Sequence, residues 1–176
     1  MNLYIRLWVV LVKALLRERI RNATDASVVS LRVWPTDLDL AGHVNNGRYA
    51  TIMDLGRLDL LVRRGLLGSL IRHRWRPLVG SSVLRFEKSL GPFARYDLHT
   101  RLVCWDDKWF FFEQRFEKRG EVCVRALVKT VVKSPAGTVR PSDVLRSAGV
   151  DALSPPMPPA VVAWMDLDRL ASIQQP

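Results

Sequence analysis

Four consecutive segments in the second half of the chain alternate apolar and polar residues, and this pattern restricts the fold more than any other feature. The segments cover residues 78–88, 95–105, 109–120 and 121–133. Side chains along a strand point alternately to two faces, so each segment predicts a strand with one packed face. The separators DDK and KRG between the last three segments are short enough for antiparallel hairpins.

A single long helix is predicted before these strands. Residues 28–35 predict a strand that ends at a proline, and Asn45 and Asn46 are good N-cap residues for a helix that ends near Gly65. Gly56 gives this helix a notch for close packing. One helix cannot cover both faces of a sheet, which excludes a doubly wound α/β fold. We therefore predict an α+β fold in which a curved antiparallel sheet wraps around one long central helix.

The length of the chain fits one domain with additions at both ends. The chain has 176 residues, of which 48% are hydrophobic and 25% charged, as in a globular protein. We predict an N-terminal amphipathic helix over residues 1–24, the main domain over residues 25–140 and a C-terminal extension over residues 141–176. The extension contains a proline-rich linker at residues 154–159.

The charge and the cysteines limit the partners. The net charge is +10, but the basic residues are scattered and form no nucleic-acid-binding signature, so we predict no nucleic-acid partner. Cys104, on the same predicted strand face as Leu102, and Cys123 read as buried free thiols, which favours a cytoplasmic location. No three residues suggest a metal site.

The first 20 residues have helical spacing with two interpretations. Leu3, Leu7, Val10, Leu11, Ala14 and Leu15 share one side, and Arg6, Lys13 and Arg17 share the other. The apolar run from Leu7 to Val12 is far shorter than the roughly 20 residues of a membrane-spanning helix. Residues 1–20 are expected either to contact an anionic membrane surface peripherally, at its inner face, or to dock on the protein's own core or a second subunit.

Residues 36–57, TDLDLAGHVNNGRYATIMDLGR, combine carboxylates with a helix start. Asp37 and Asp39 are two residues apart, so they point the same way if the chain is extended. The free N–H groups of the helix start suit a developing negative oxygen, and a carboxylate beside them suits hydrolysis of an activated acyl group. The alternative, which we favour for an isolated D-x-D, is that these residues only cap a turn and a helix.

A family resemblance favours the chemical interpretation. The segment DLDLAGHVNNGRYATIMDLGR resembles the D-x-D-x-x-G-H-V-N-N-x-x-Y pattern of hotdog-fold thioesterases of the 4-hydroxybenzoyl-CoA thioesterase type, and is most similar to the thioesterase superfamily member 6-like group. Residues 83–98 resemble the same family's strand, basic residue and loop. The resemblance covers roughly residues 28–135. It implies a hotdog fold that forms a homodimer or tetramer by joining sheets, with active sites at the subunit interface.

The resemblance also implies roles for individual residues. Asp39 matches the catalytic carboxylate, acting as nucleophile or as general base on water, and Asp54 on the helix is a second catalytic candidate. We expect Asp37 to be structural, bonding local backbone. The implied substrate-binding residues are Gly42 and His43 in the pocket loop, Asn45 and Asn46 at the oxyanion-binding helix start, and Tyr49, which seats the helix.

The predicted function is hydrolysis of an acyl-CoA or acyl-carrier thioester, with coenzyme A as part of the substrate and no other cofactor. The basic residues Arg85, Lys88, Arg125 and Lys129 are candidates to meet its phosphates, although a general surface role is favoured for each. Two alternatives stay open: a non-catalytic acyl-CoA binder on the same fold, and a membrane-surface scaffold.

Overall fold

The computed structural model describes residues 3–173. The first two residues of the predicted N-terminal segment and the last three of the predicted C-terminal extension lie outside the described residues. The elements are α1 (Leu3–Leu16), β1 (Ser27–Arg32), α2 (Asn46–Arg63), α3 (Leu66–Arg72), β2 (Arg76–Phe86), β3 (Arg95–Trp105), β4 (Phe110–Lys118), β5 (Glu121–Ser134), β6 (Gly137–Val139), α4 (Pro141–Arg146) and α5 (Pro159–Ile173). A 3₁₀ turn, Pro35–Asp37, follows β1.

The strands form one antiparallel sheet in the order β1-β3-β4-β5-β2, with the short β6 paired to β5. The long helix α2 packs on one face of this sheet, where Tyr49, Ile52 and Met53 meet the buried side chains of Leu98 and Phe116. The predicted α+β fold, a curved antiparallel sheet around one central helix, is confirmed.

The strand β2 forms an edge of the sheet. It pairs only with β5 among the described strands, and most of its residues are exposed. Leu78, Val79, Val83 and Phe86 have 45 to 49% of their surface exposed. A long apolar edge strand is a template for pairing with another strand.

The notch at Gly56 lets α2 approach the sheet closely, as predicted. A Cβ atom at Gly56 would lie 2.3 Å from Thr100 Oγ1 and 2.9 Å from Leu98 Cδ2. The buried amide of Gln114 fixes the same contact, because it donates hydrogen bonds to the Met53 carbonyl at 2.9 Å and to Thr100 Oγ1 at 2.8 Å. The site residues at the start of α2 are therefore held at a fixed height above the sheet.

The predicted side-chain direction is wrong at Cys104, near the end of β3. The register between β3 and β4 shifts between Leu102 and Cys104, which is a β-bulge. Leu102 stays on the face of α2, but Cys104 turns to the opposite face, where it packs with Phe111 and with Trp164 of α5. Both cysteines are buried free thiols, as predicted.

Helix α1 docks on the body of the protein. Val10 of α1 packs with Val29 of β1 and Leu55 of α2. The predicted position of Arg6 on a polar side shared with Lys13 is wrong, because Arg6 is only 1% exposed. Its charge is directed inward, toward the site described below. No helix within residues 3–173 has both the length and the apolar character needed to cross a bilayer.

Candidate active site

The loop after the 3₁₀ turn folds back on itself and presents Asp39. Leu38 and Val44 pair across its base as an isolated β-bridge. Inside this pair the Asp39 N–H donates to the His43 carbonyl at 2.9 Å, and the Gly42 N–H donates to the Asp39 carbonyl at 3.1 Å. Gly42 has a φ of +79°, a left-handed conformation that favours glycine. Gly42 therefore shapes the turn that carries Asp39.

Asp37 is buried beneath this loop and holds three elements together. Its carboxylate accepts hydrogen bonds from Arg6 Nη2 of α1 at 2.5 Å, from Arg48 Nε of α2 at 3.0 Å and from the Trp34 N–H at 2.9 Å. Its carbonyl accepts from the Asn45 N–H at 2.9 Å. The expected local backbone bond is thus present, and two distant arginines add to it.

The pKa of the Asp37 carboxyl is lowered. Burial alone would raise it, but the hydrogen bonds from Arg6, the Trp34 N–H and Arg48 favour the charged form and outweigh burial. The prediction that Asp37 and Asp39 point the same way is wrong. The chain is not extended here, because the 3₁₀ turn directs Asp37 inward.

Asp39 lies in a very different setting. Its side chain is 34% exposed. Oδ1 accepts a hydrogen bond from the Ala41 N–H at 2.9 Å and a long one from the His43 N–H at 3.5 Å, whereas the His43 Nδ1 atom is 4.0 Å away, beyond hydrogen-bond distance. Oδ2 accepts no hydrogen bond from residues 3–173. The carboxylate is thus oriented through one oxygen and open to water or a substrate through the other.

A cleft of about 160 Å³ brings most of the predicted site residues together. Its lining consists of Asp39, His43, Val44, Asn46, Tyr49, Phe86, Glu87, Lys88 and Ser89. Gly42 and Asn45 do not line it. The last four lining residues come from the end of β2 and the loop after it. Of these, only Lys88 was a sequence candidate, although the resemblance at residues 83–98 marked the segment.

The start of α2 faces this cleft. Asn45 is the N-cap, as predicted, and its Oδ1 accepts from the Gly47 N–H at 2.9 Å. Asn46, the first residue of the helix, lines the cleft. The side chain of Asn45 occupies the Gly47 N–H, whereas the Asn46 N–H has no hydrogen-bond acceptor within residues 3–173 and is available to a bound oxygen.

Tyr49 is buried behind the cleft. Its ring packs edge-on against Phe116 and Phe86, with centroid distances of 4.9 and 5.5 Å. Burial raises the pKa of Tyr49 to about 12, and the charge of Asp39 contributes a little in the same direction. Tyr49 is therefore a neutral packing residue that joins α2 to the end of β2.

Asp54 lies elsewhere. It is 63% exposed, forms an ion pair with Arg57 and lines a second cavity of about 250 Å³. This cavity is largely apolar, and its lining includes Leu58, Leu61, Leu70, Phe110, Phe112 and Val144. Pro77 and Val79 at the start of β2 also line it. Within one chain, the structure therefore does not bring Asp39 and Asp54 into the same cavity.

The four basic residues proposed for coenzyme A phosphates each lie near a carboxylate of the chain. The pairs are Lys88–Glu121 at 2.9 Å, Arg125–Glu87 at 3.1 Å, Arg85–Glu87 at 3.8 Å and Lys129–Asp168. Only Lys88 of the four lines the cleft. A phosphate that binds there has to compete with Glu121 for it.

Known proteins are similar to this chain in sequence. Residues 33–165 match the family model described as the thioesterase-like superfamily. Protein THEM6 of Xenopus laevis is 29% identical, over 97% of this chain and 82% of its own length. A probable thioesterase of Saccharomyces cerevisiae is 31% identical, over 66% of this chain and 52% of its own length.

A solved structure supports the fold. A gentisyl-coenzyme A thioesterase superposes with a TM-score of 0.63 at 24% identity, over 70% of this chain and 100% of the other. The predicted hotdog fold and the predicted relation to thioesterases are confirmed. The chain therefore belongs to the thioesterase-like superfamily and is a thioester hydrolase.

Proposed function

We propose that the protein hydrolyses an acyl-CoA thioester to the free acid and coenzyme A, with Asp39 as the catalytic carboxylate. The observation that carries this proposal is the open oxygen of Asp39 in a cleft that also contains the first turn of α2. A second support is the solved structure of similar fold that is named a gentisyl-coenzyme A thioesterase.

The chemistry needs only these groups. Asp39 either attacks the thioester carbonyl carbon directly or removes a proton from the attacking water. When Asp39 attacks, the carbon–sulfur bond breaks and a mixed anhydride with Asp39 forms, which water then cleaves to release the acid and the free carboxylate. When Asp39 acts as a base, the water oxygen bonds to the carbonyl carbon directly and the carbon–sulfur bond breaks. In both routes the departing thiolate takes a proton that comes from the water. The Asn46 N–H and the positive end of α2 stabilise the negative charge that develops on the carbonyl oxygen.

The apolar cavity at Asp54 suits the acyl chain. Its lining is predominantly leucine, valine and phenylalanine. The cavity and the cleft lie at opposite ends of β2, because Pro77 and Val79 line the former while Phe86 lines the latter. A single chain therefore separates the place for chemistry from the place for an apolar tail.

A homodimer removes this separation. The exposed edge of β2 suits antiparallel pairing with β2 of a second copy. Such pairing sets the start of one β2 beside the end of the other, so the Asp39 cleft of one subunit lies near the Asp54 cavity of its partner. In this dimer Asp54, which forms an ion pair with Arg57, orients the water or the substrate at the partner's cleft. The same pairing is compatible with a tetramer of two such dimers.

Three further features belong to the proposal. Lys88 is the residue placed to meet a phosphate of the substrate at the cleft, whether the carrier is free coenzyme A or an acyl carrier protein. A cytoplasmic location is supported by the free thiols Cys104 and Cys123. The alternative of a non-catalytic acyl-CoA binder keeps the same cleft and lacks turnover.

The decisive test is thiol release from a panel of short, long and aromatic acyl-CoA esters. The Asp39→Asn variant keeps an oxygen that accepts from the Ala41 N–H, so the loop is preserved while the charge is lost. We expect kcat to fall at least about 100-fold. Asp107→Asn, at an exposed aspartate in the turn between β3 and β4, is the matched control and should leave kcat unchanged.

The other outcomes separate the alternatives. Turnover that survives Asp39→Asn transfers the catalytic role to Asp54, which an Asp54→Asn variant then tests. Saturable binding of acyl-CoA without turnover of any ester by the wild type identifies a binder. A monomer by light scattering contradicts the dimer across β2.

A further inference from the structure

The outer side of α1 is apolar and exposed. The inner side of the helix contacts the body through Arg6, Val10 and Ala14. On the outer side the exposed apolar residues are Ile5, Trp8, Val9, Val12, Leu15 and Leu16, with exposures of 41 to 83%. At 3.6 residues per turn they occupy one continuous arc of about 120°. Arg6 and Lys13 are the charged residues of α1, and neither lies in this arc.

The other long peripheral helix shows that this is unusual within the protein. The exposed side of α5 includes Val162 and Leu167, but also the charged residues Asp166 and Arg169. A surface helix of a globular protein ordinarily has such a mixed polar side. The outer side of α1 is therefore an exception, and contiguous exposed apolar surface of this kind marks an interaction site.

A basic groove runs beside this apolar side. The groove has a volume of about 770 Å³, and Val9 and Lys13 of α1 form one wall. Its other exposed charged residues are Arg32, Arg95 and Arg119, together with the partly buried acids Asp97 and Glu117. Four exposed cations against two carboxylates leave the surface of the groove positive.

Unpaired buried donors add to this character. The groove is also lined by Arg6 and Tyr96, which are 1% and 3% exposed. Arg6 Nε, Arg6 Nη1 and the Tyr96 hydroxyl have no hydrogen-bond partner within residues 3–173. Unpaired buried donors are uncommon in folded proteins. Here they lie beneath a groove already lined by cations.

We infer that the outer side of α1 and the basic groove together form a docking surface for an anionic phospholipid bilayer. Apolar side chains with a tryptophan enter the boundary between headgroups and acyl chains, and flanking cations meet lipid phosphates. Because the inner side of α1 is packed on the body, the helix meets the bilayer lying along its surface.

A second copy of the chain fits this surface less well. A symmetric contact through α1 brings the two basic grooves, with Lys13 and Arg32 in each, close to one another. The net charge of +10 makes such a contact repulsive, whereas the same charge favours an anionic bilayer. The inference concerns a surface that does not include the Asp39 cleft, so it does not depend on the proposed hydrolysis.

Vesicle co-sedimentation of the full chain tests the apolar part. The wild type is compared with Trp8→Glu/Leu15→Glu on vesicles of phosphatidylcholine mixed with phosphatidylserine. We expect the double variant to partition at least about tenfold more weakly. Leu153→Glu/Leu167→Glu is the matched control, since it introduces the same charges at residues 94 and 64% exposed elsewhere. The partitioning of this control should stay within about twofold of the wild type. Its two new acids lie away from the proposed docking surface, so they weaken the attraction to the anionic vesicle only through screened long-range charge.

A second variant tests the basic groove, and it tests the inference even if Trp8→Glu/Leu15→Glu fails to fold. Arg32→Gln/Arg119→Gln should weaken binding to mixed vesicles about 30-fold, from about 1 kcal/mol for each cation near an anionic surface. It should leave the weak binding to pure phosphatidylcholine unchanged. If the α1 double variant binds the vesicles as strongly as the wild type does, the inference is wrong. A halved mass of that variant in light scattering also overturns it, because this identifies the outer side of α1 as a subunit contact.

Discussion

Asp37 and Asp39 are two residues apart in the chain and lie in opposite environments. Asp37 is 1% exposed and its carboxylate accepts from two arginines and a backbone N–H. The side chain of Asp39 is 34% exposed, and its carboxylate accepts one short hydrogen bond, from the Ala41 N–H of the same loop. A D-x-D pair therefore does not describe a pair of equivalent carboxylates here.

The difference shows how the protein divides two tasks. Asp37 joins α1, the 3₁₀ turn and the start of α2, so it fixes the base of the loop. Asp39 keeps an oxygen without a hydrogen bond within residues 3–173, which is the oxygen that the proposed hydrolysis uses. The comparison predicts that substitutions at or around Asp37 change stability, whereas substitutions at Asp39 change turnover.

The largest expected effect is that of Asp37→Ala. The substitution leaves Arg6 buried with no opposite charge, and breaking a buried ion pair in this way costs about 3–5 kcal/mol. Asp39→Ala should cost less than about 1 kcal/mol, because its one short bond is exposed. The measurement is the free energy of unfolding in urea for both variants and the wild type. Equal losses for the two would mean that Asp37 does not anchor the loop.

The sequence predicts the frame of this protein well for a physical reason. The strand at residues 95–105 matches β3 residue for residue, and the N-cap at Asn45 is correct. Both features depend on local periodicity and local hydrogen bonds. Alternation fails at Cys104, because a bulge inserts one residue and reverses the face of the next.

The candidate site is predicted only in part. The motif placed Asp39, His43, Asn46 and Tyr49 at one cleft, but it could not show that Asp54 lines another cavity. The partner of Asp37 is even less visible in the sequence, since Arg6 lies 31 residues away on a helix whose spacing suggested a solvent-exposed arginine. Contacts made by tertiary structure leave no local pattern.

The two arginines that bind Asp37 differ in exposure. Arg6 has 1% of its side chain exposed and Arg48 has 28%. Arg6→Met keeps much of the side-chain volume and removes the buried charge, and we expect it to cost about 2 kcal/mol. Arg48→Met should cost about 1 kcal/mol, since water already reaches this arginine. If urea unfolding gives the reverse order, α1 contributes less to the loop than Arg48 does.

Acid should remove part of the contribution of Asp37. Its folded-state pKa is lowered below the ordinary value of 3.8. The stability that this provides is present above the ordinary pKa and is lost as the pH falls through the lowered one. We therefore expect the wild type to lose more stability than Asp37→Asn does as the pH falls from about 5 through the ordinary pKa. The melting temperature of both proteins, followed as the pH is lowered, measures this difference. If the two melting temperatures fell in parallel, the pKa of Asp37 would not be lowered.

The smallest expected effect comes from the turn beside Asp39. A Cβ atom at Gly42 has no heavy atom within 4 Å, so the whole effect of Gly42→Ala comes from the φ of +79°. This strain costs about 1 kcal/mol for alanine and less for asparagine, which tolerates the left-handed region. If the turn positions Asp39, Gly42→Ala should also lower kcat severalfold while Gly42→Asn retains it. A loss of stability in Gly42→Ala with kcat unchanged would show that Asp37 alone is enough to position the loop.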